Sequence, residues 1–148
     1  MSARLAFDIE PARRGDLESI HELLLANLLP LDDLDRHVDH AFIARQDGRV
    51  VGAAALEVYG DGGLLRSVVV AAEHRGTGLG QRLVDAVMQL ARSKHLPAVY
   101  LVTTTAPNYF PRMGFVPISR DHVPAGVQQS VEFVSACPAS AAVLMKRL

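Results

Sequence analysis

The chain has 148 residues, of which 49% are hydrophobic, enough for one domain with a substantial core. Its 15 basic and 16 acidic residues give a net charge of −1, which argues against a nucleic-acid or anionic-membrane partner, and no apolar run is long enough for a membrane span. A single cysteine, Cys137, excludes an internal disulfide, and residues 1–8 are too polar for a secretory signal. We therefore expect a cytoplasmic protein with one domain over residues 1–148.

The first half of the sequence alternates strand and helix patterns. Residues 5–10 are typical of a short strand, and Asp16 is placed to cap a helix whose apolar residues recur at helical spacing until Pro30 stops it. A shorter helix is predicted over 31–38. Three strands follow, over 41–44, 50–59 and 64–70, with hairpin turns at Asp47–Gly48 and 60–63.

The second half begins with a glycine-rich loop and a helix that runs to about Lys94, with apolar residues at 79, 83, 87 and 90 on one face. Strand 98–103 follows this helix, so parallel pairing is expected somewhere in the sheet. The order of elements predicts a mixed α/β fold with helices on both faces of one sheet. The remaining predicted elements are a short helix over 106–113, a strand at 115–116, a helix over 124–135 and a strand over 141–146.

The most informative stretch is Arg75–Gly80, in which three glycines alternate with other residues ahead of a helix. Such a loop exposes backbone N–H groups where the helix dipole favours negative charge, which is typical of pyrophosphate sites. The spacing differs from the P-loop and dinucleotide fingerprints, since it lacks the phosphate-binding lysine and the acidic residue for a ribose. Taken alone, the loop could also be a glycine-rich turn that binds no ligand.

Arg75, Gly78 and Gly80 resemble the R-x-x-G-x-G/A signature of the GNAT superfamily of N-acetyltransferases. The resemblance implies the GNAT fold, a mixed, mostly antiparallel central sheet of about six or seven strands with helices on both faces. It also implies acetyl-CoA as cosubstrate, with its pyrophosphate on the loop and its pantetheine arm paired with strand 64–70, where a backbone N–H near Val69 or Val70 would face the thioester carbonyl. The cofactor-binding residues implied in this way are Val68, Val69, Val70, Arg75, Gly76, Thr77, Gly78, Leu79, Gly80 and Phe110.

A second part of the superfamily signature, N-x-x-A-x-x-x-Y-x-x-x-G-F, is matched only in part. Ala106 and Gly114-Phe115 agree with it, whereas Thr103 replaces the asparagine and Phe110 replaces the tyrosine that is the usual general acid for the leaving thiolate. On a helix Tyr109 would point about 100° away from position 110, so it is not expected to replace that tyrosine. The general acid therefore stays unassigned. Catalysis does not strictly require one, because a thiol with a pKa of ~8.5 is already a fair leaving group as the thiolate.

These departures resemble two subgroups of the superfamily. Val102-Thr103-Thr104 with Phe110 is similar to the catalytic domain of bacterial N-acetylglutamate synthases, and scattered segments such as 52–60 and 137–141 are similar to small acetyltransferases encoded with arsenic-resistance genes. The resemblance implies an acceptor that is an amino acid or analogue with a free amine. The arginines that hold glutamate in the synthases do not appear, and residues 137–141 stand in their place. Because dimers are common among relatives, a homodimer is one assembly that the resemblance allows.

Glu57 and Arg66 are charged residues within apolar strands, and two interpretations stay open for them. With residues 60–63 as the turn, Glu57 would face Arg66, and the pair could be a cross-strand ion pair worth under ~1 kcal/mol. In the functional interpretation, Arg66 holds a substrate carboxylate while Glu57 takes the amine proton, either directly or through water.

Several other polar residues are candidates for the site. Thr103 and Thr104 end a strand near the expected cofactor and are predicted to bind substrate, whereas Thr105 is predicted to cap a helix. Cys137 is expected to be a buried residue that packs in the core and takes no part in catalysis. His37 and His40 are expected at a solvated helix end, with no metal bound, and the 31–38 region is expected to form a wall of the substrate pocket.

The predicted function is direct transfer of an acetyl group to a small amine in a ternary complex. Acetylation of protein N-termini or lysines is the alternative within the same class. A non-catalytic CoA-binding sensor is the alternative from another class, supported by the missing tyrosine at 110, and a hydrolase built on Cys137 is a more distant one.

Overall fold

The computed structural model describes residues 7–104, 108–133 and 141–148. In these ranges seven strands form one sheet, and two α-helices flank it. The strands are β1 (Asp8–Pro11), β2 (Ala41–Gln46), β3 (Arg49–Tyr59), β4 (Gly62–Val70), β5 (Ala98–Thr103), β6 (Val116–Pro117) and β7 (Ala142–Arg147), and the helices are α1 (Leu17–Ala26) and α2 (Leu79–Ser93).

The spatial order of the strands is β1-β2-β3-β4-β5-β7-β6. Neighbouring strands are antiparallel except β4 and β5, which run parallel because α2 makes the crossover between them. The predicted mixed, mostly antiparallel sheet is confirmed, and so is the expected parallel pairing of the strand that follows the long helix.

The long strand β3 separates two hydrophobic cores because successive side chains point to opposite faces of a strand. Ala54 and Leu56 pack in the core beneath α2, while Ala53 and Ala55 pack with α1 on the other face. The run of small residues lets both helices lie close to the sheet, and a Cβ at Gly52 would come within 2.9 Å of the Leu83 side chain on α2. Helices on both faces were therefore correctly predicted.

The hairpin turns test two sequence predictions with different outcomes. Asp47 and Gly48 form the predicted two-residue turn, both with positive φ, between paired residues Gln46 and Arg49. The second turn is shorter than predicted, because Tyr59 pairs with Gly62 and only residues 60–61 lie in the loop. The register shifts accordingly, so that Glu57 is opposite Leu64, and the predicted pairing of Glu57 with Arg66 across the strands is wrong.

The predicted short helices are 3₁₀ helices. Residues Leu34–His40 follow Asp33, whose left-handed backbone prevents an earlier start, and Phe110–Met113 contains Pro111 and ends at Gly114 with a φ of 92°. Within the predicted 124–135 helix, the described part holds the 3₁₀ helix Val127–Gln129 and helical backbone again at 131–133. Thr105, Ala106 and Cys137 lie outside the described residues.

Asp16 occupies the residue before α1 without a side-chain capping hydrogen bond, so its predicted role as the cap is wrong. Its carboxylate instead accepts from the Arg13 N–H at 2.9 Å and from Arg45 at 2.9 Å, while Arg45 also pairs with Glu10 at 3.0 Å. Partial burial by itself raises the pKa of Asp16, but the hydrogen bonds from Arg13 and Arg45 outweigh it and hold the pKa below its usual value.

Replacing Asp16 with asparagine is expected to destabilise the protein in a pH-dependent way. Because the folded-state pKa is lowered, the stabilisation by Asp16 is present above the unfolded pKa of about 3.9 and is lost as the pH falls through the folded pKa. We expect Asp16→Asn to lower the free energy of unfolding by up to about 1 kcal/mol at neutral pH, with the difference vanishing in acid. Urea unfolding of the wild-type and variant proteins across pH measures this difference in the free energy of unfolding, with Asp8→Asn as the exposed control. A difference that stays constant with pH would contradict the prediction.

Candidate active site

A cavity opens in the middle of the sheet because β4 and β5 pair over only part of their length. These parallel strands are registered only at Gly63 with Val99 and Leu64 with Tyr100. Beyond that point they diverge, although β5 continues to pair with β7 as far as Thr103 and β4 pairs with β3 as far as Val70. The divergence leaves the inner backbone edges of residues 65–70 and 101–103 facing a cleft, where an extended ligand could pair with them.

The cleft is a cavity of about 810 Å³, within the size range of small-molecule sites. It is lined along one side by β4, along the other by the end of β5 and the segment after it, and at its mouth by the glycine loop and residues 27–30. The described lining residues that were predicted for the site are Arg66, Val68, Val69, Val70, Arg75, Gly76, Gly78, Leu79, Gly80, Thr103, Thr104 and Phe110.

A β-bulge shapes the β4 side of the cavity. Ala53 is opposite Val69 and Ala55 is opposite Arg66, so Ala54 faces two residues, Ser67 and Val68. Ser67 has a φ of 58°, a left-handed conformation that is uncommon for residues other than glycine. Bulges of this kind re-aim the following backbone, and strained residues concentrate at functional sites. Nothing in the sequence signals this bulge, because serine carries no left-handed preference.

The glycine loop forms the other end of the cavity. Gly76 and Gly78 have φ values of 78° and 82°, and a Cβ at either position would meet no atom within 4 Å, so both face open space. The first helical hydrogen bond of α2 runs from the Arg82 N–H to the Gly78 carbonyl at 3.2 Å, which leaves the N–H groups of residues 79–81 outside the helical ladder. Thr77 does not line the cavity; its hydroxyl donates to the His74 carbonyl at 2.7 Å and stabilises the loop.

Arginine side chains lie near the same end of the cavity. Arg75 and Arg112 are exposed and line its mouth, and Arg75 donates to the Asn27 side chain, an uncharged partner that leaves the guanidinium charge unneutralised. Together with the helix N-terminus, these cations are complementary to a polyanionic group such as a pyrophosphate.

The structure corrects the predicted relation between Tyr109 and Phe110. Phe110 lines the cavity but is only 8% exposed and packs edge-on against Phe115, while the Tyr109 hydroxyl lies against Gly80 in the first turn of α2. Tyr109 therefore lines the cavity as well, because the segment is a turn leading into a 3₁₀ helix and not a regular α-helix. Burial raises the pKa of Tyr109, which keeps its hydroxyl protonated at neutral pH.

The opposite end of the cavity contains a buried ion pair. The Arg66 Nη1 donates to Glu57 Oε2 at 2.9 Å, and both side chains are fully buried. The pair forms diagonally across the hairpin in spite of the shifted register, since a side chain two residues along the neighbouring strand is within reach of a long one. Arg66 lines the cavity, whereas Glu57 lies behind it. Glu57 and Arg66 therefore form an ion pair, but the two groups are fully buried and are not directly opposite each other across the strands.

Further polar groups surround the Glu57 carboxylate. Tyr59 donates its hydroxyl to Glu57 Oε1, and burial together with that hydrogen bond raises the pKa of Tyr59. His37 Nε2 lies 3.7 Å from Glu57 Oε2 and 3.6 Å from Asp33 Oδ2, with 15% of the His37 side chain exposed. The expectation that His37 is solvated is therefore wrong, since the 3₁₀ helix turns it inward onto β3.

Sequence reasoning missed other residues of the site. Residues 27–30 line the cavity, whereas the wall was expected from residues 31–38. Glu132 also lines it, and its Oε2 lies 3.8 Å from the Arg66 Nη2. No motif marks either segment, because their proximity to the cavity depends on tertiary packing. Within the described parts of the chain, no group of three or more potential metal-binding side chains occurs, and no helix has the length and apolarity to cross a membrane.

The comparison with protein families gives one clear match. The sequence profile of the acetyltransferase (GNAT) family matches residues 7–115, about three quarters of the chain. Curated relatives include amino-acid acetyltransferases of Ralstonia nicotianae, 32% identical over 93 residues, and of Pseudomonas fluorescens, 29% identical over 94 residues; both matches cover 62% of this chain. The chain spans only about a fifth of the length of these relatives, 21% and 22% respectively.

Solved structures share the fold. N-acetylglutamate synthase from Neisseria gonorrhoeae, complexed with coenzyme A and N-acetyl-glutamate, superimposes with a TM-score of 0.83 at 23% identity, covering 99% of this chain and 36% of that one. Rv2747 from Mycobacterium tuberculosis, whose structure contains CoA, gives a TM-score of 0.81 at 27% identity, covering 95% of this chain and 99% of that one. These matches confirm the predicted fold and support the predicted cosubstrate.

Proposed function

The chain belongs to the acetyltransferase (GNAT) family, and on that basis we propose that it is an acetyl-CoA-dependent N-acetyltransferase for a small amino acid or amino-acid analogue. The single observation that carries the proposal is the cavity between the diverging strands β4 and β5. One end of it meets the N-terminus of α2 and the other end meets Arg66, so a polyanionic donor and a small acceptor can occupy different ends.

The donor end fits coenzyme A by its chemistry. The unpaired N–H groups at the start of α2 and the open space beside Gly76 and Gly78 are suited to a pyrophosphate, and the free inner edge of β4 is suited to the amide groups of a pantetheine arm. Residues 66–70 extend about 13 Å at the usual rise per strand residue, so a pantetheine along them would bring its sulfur towards Ser67 and Arg66. The bulge at Ser67 turns the backbone at that position.

The acceptor end is assigned to Arg66, Thr103 and Thr104. The Arg66 Nη2 is buried and has no hydrogen-bond partner among the described residues, which leaves a charged donor for a substrate carboxylate or carbonyl oxygen. Thr103 and Thr104 line the cavity at the end of β5, close to where the transferred acetyl group would lie. In the reaction the amine nitrogen bonds to the acetyl carbon, the carbon–sulfur bond breaks, and the thiolate leaves with the electron pair.

Glu57 is the proposed acceptor of the amine proton. Because its carboxylate is fully buried and does not line the cavity, the proton must reach it through an intervening water or a hydrogen-bonded neighbour. Tyr109, with its pKa raised by burial, is a protonated hydroxyl in the cavity near the start of α2. Phe110 carries no dissociable proton and contributes only apolar contact there.

The experiment that tests the function is release of the CoA thiol from acetyl-CoA with a panel of acceptors. The panel contains free amino acids, phosphonate and arsenic-bearing glutamate analogues, polyamines and a lysine peptide. We expect turnover on an amino-acid-like compound, with a detectable ternary complex. Turnover confined to the peptide would favour the protein acetyltransferase, and binding of acetyl-CoA without turnover on any acceptor would favour the CoA-binding sensor.

A further inference from the structure

The proposed reaction leaves a proton on a buried group. The acceptor enters as an ammonium ion and leaves as an amide, and CoA leaves as a thiol, so each turnover releases one proton. Glu57, the proposed acceptor of that proton, is fully buried and does not line the cavity. The cavity is filled while both substrates are bound. Glu57 therefore needs another route to water before the next turnover.

The described neighbours of the Glu57 carboxylate differ in their ability to take a proton from it. Arg66 donates to Oε2 at 2.9 Å, and a guanidinium has no lone pair that accepts a proton. Tyr59 donates to Oε1, and burial together with that bond raises the pKa of its hydroxyl, which stays protonated. His37 Nε2 lies 3.7 Å from Oε2. Because imidazole exchanges protons readily near neutral pH, His37 is the neighbour suited to receive the proton.

The His37 Nε2 also lies close to a second carboxylate. It is 3.6 Å from Asp33 Oδ2, and it has no hydrogen-bond partner among the described residues. Both separations exceed a hydrogen bond, as catalytic contacts often do before the substrates bind and tighten them. Side-chain exposure increases along the three groups, from 0% for Glu57 to 15% for His37 and 29% for Asp33. The ring nitrogen is therefore placed between a buried carboxylate and one that contacts water.

The backbone holds this arrangement in place. Asp33 has a φ of 64°, a left-handed conformation in which aspartate is enriched, and it starts the 3₁₀ helix Leu34–His40. The apolar residues of that helix are buried, so the helix keeps His37 turned towards β3. The other charged or titratable groups nearby are Arg36, whose Nη1 lies 3.5 Å from Asp33 Oδ1, and His40 at the end of the helix.

We infer that His37 carries the proton from Glu57 to Asp33 and so to water, and this inference rests on the proposed acetyltransferase function. After Glu57 has taken the amine proton, its O–H bond breaks and an N–H bond forms at the lone pair of His37 Nε2. The imidazolium lies between two carboxylates, which stabilise its charge. The same N–H bond then breaks as the proton passes to Asp33 and on to water, which restores all three groups. His37 touches no substrate and acts through Glu57.

The test replaces His37 with alanine and supplies a proton carrier from solution. Rates of CoA thiol release are measured with an acceptor identified by the panel, in the presence of imidazole or pyrazole. We expect His37→Ala to lower kcat about tenfold with little change in either KM, because proton release becomes slow. Imidazole should restore at least half of the wild-type kcat. Pyrazole, a ring of the same size that is far less basic, should not.

Two further variants support this measurement. Asp33→Asn keeps a residue that tolerates the left-handed backbone but takes no proton, so it tests the route even if His37→Ala fails to fold. We expect a lowered kcat that imidazole partly restores. His21→Ala is the control, because His21 pairs with a different carboxylate, Asp35, at 3.2 Å. It should keep the wild-type kcat.

Each outcome decides the inference. An unchanged kcat in His37→Ala or in Asp33→Asn would overturn it. Recovery that is equal with the two rings, or a loss that imidazole does not reverse, would also overturn it, since His37 would then only fill space. Wild-type turnover together with any of these results leaves the proposed acetyltransferase function standing. Absence of wild-type turnover on every acceptor would remove that function, and the inference with it.

Discussion

Gly78→Glu is expected to weaken the binding of coenzyme A by roughly a hundredfold, about 2.7 kcal/mol, while the protein stays folded. A Cβ at position 78 meets no protein atom within 4 Å, so the new carboxylate would extend into the open space in front of α2. That space is where the helix N-terminus and Arg75 favour phosphate oxygens. The added group would exclude the pyrophosphate by its volume and repel it by its charge.

The backbone effect of this substitution can be separated from its effect on the ligand. Gly78 has a φ of 82°, and forcing another residue into that conformation costs about 1–2 kcal/mol of stability. Gly48, with a φ of 80° and equally open surroundings, lies in the β2–β3 turn away from the cavity, so Gly48→Glu is a matched control. Calorimetry with CoA and thermal unfolding should give similar stability losses but a loss of CoA affinity only in Gly78→Glu. Unchanged affinity in Gly78→Glu would exclude the loop from the site.

The loop could be predicted from sequence because its determinants are local. Arg75–Gly80 lies between a β-branched strand and a helix with an apolar stripe, and each of these features depends on a few neighbouring residues. The Asp47–Gly48 turn was predictable for the same reason, since both residues tolerate positive φ. The length of the next turn, at residues 60–63, was not predictable, because one aspartate and three glycines allow several turn lengths. In the observed β3–β4 register, Gly63 fits tightly between the side chains of Leu56 and Leu96. The local sequence does not show this contact.

The acceptor end of the cavity depends on contacts between distant parts of the chain. Glu57 and Arg66 stood out because a charge within an apolar strand is conspicuous, and their buried contact is found. Glu132 and His37 did not stand out, because no motif marks either position and their place beside Arg66 and Glu57 is fixed only by tertiary packing. The position of Tyr109 in the cavity lining was not predicted, because regular helical geometry was expected where a turn and a proline-containing 3₁₀ helix form.

Removing one member of the buried Glu57–Arg66 pair is expected to destabilise the protein strongly. Both side chains are fully buried, so Arg66→Met leaves the Glu57 charge uncompensated except by Tyr59 and His37. We expect Arg66→Met to lower the free energy of unfolding by about 3–5 kcal/mol. In the double variant with Glu57→Gln most of that loss should be recovered, because the buried charge is removed along with its partner. Urea unfolding of both single variants and the double variant gives the coupling energy, and additive losses would contradict a coupled pair.

Kinetics of Glu57→Gln distinguish the two interpretations of this pair. The single amide oxygen of glutamine can accept from Arg66, and its NH2 group can donate to the Tyr59 hydroxyl, but glutamine cannot take a proton. If Glu57 is the proton acceptor, kcat should fall by about 10²–10⁴-fold with little change in the acceptor KM. A preserved kcat with a raised acceptor KM would instead make Glu57 the residue that positions Arg66. We expect the fall in kcat, because the Glu57 carboxylate is held directly behind Arg66 at the acceptor end of the cavity, within reach of a proton relayed by one water.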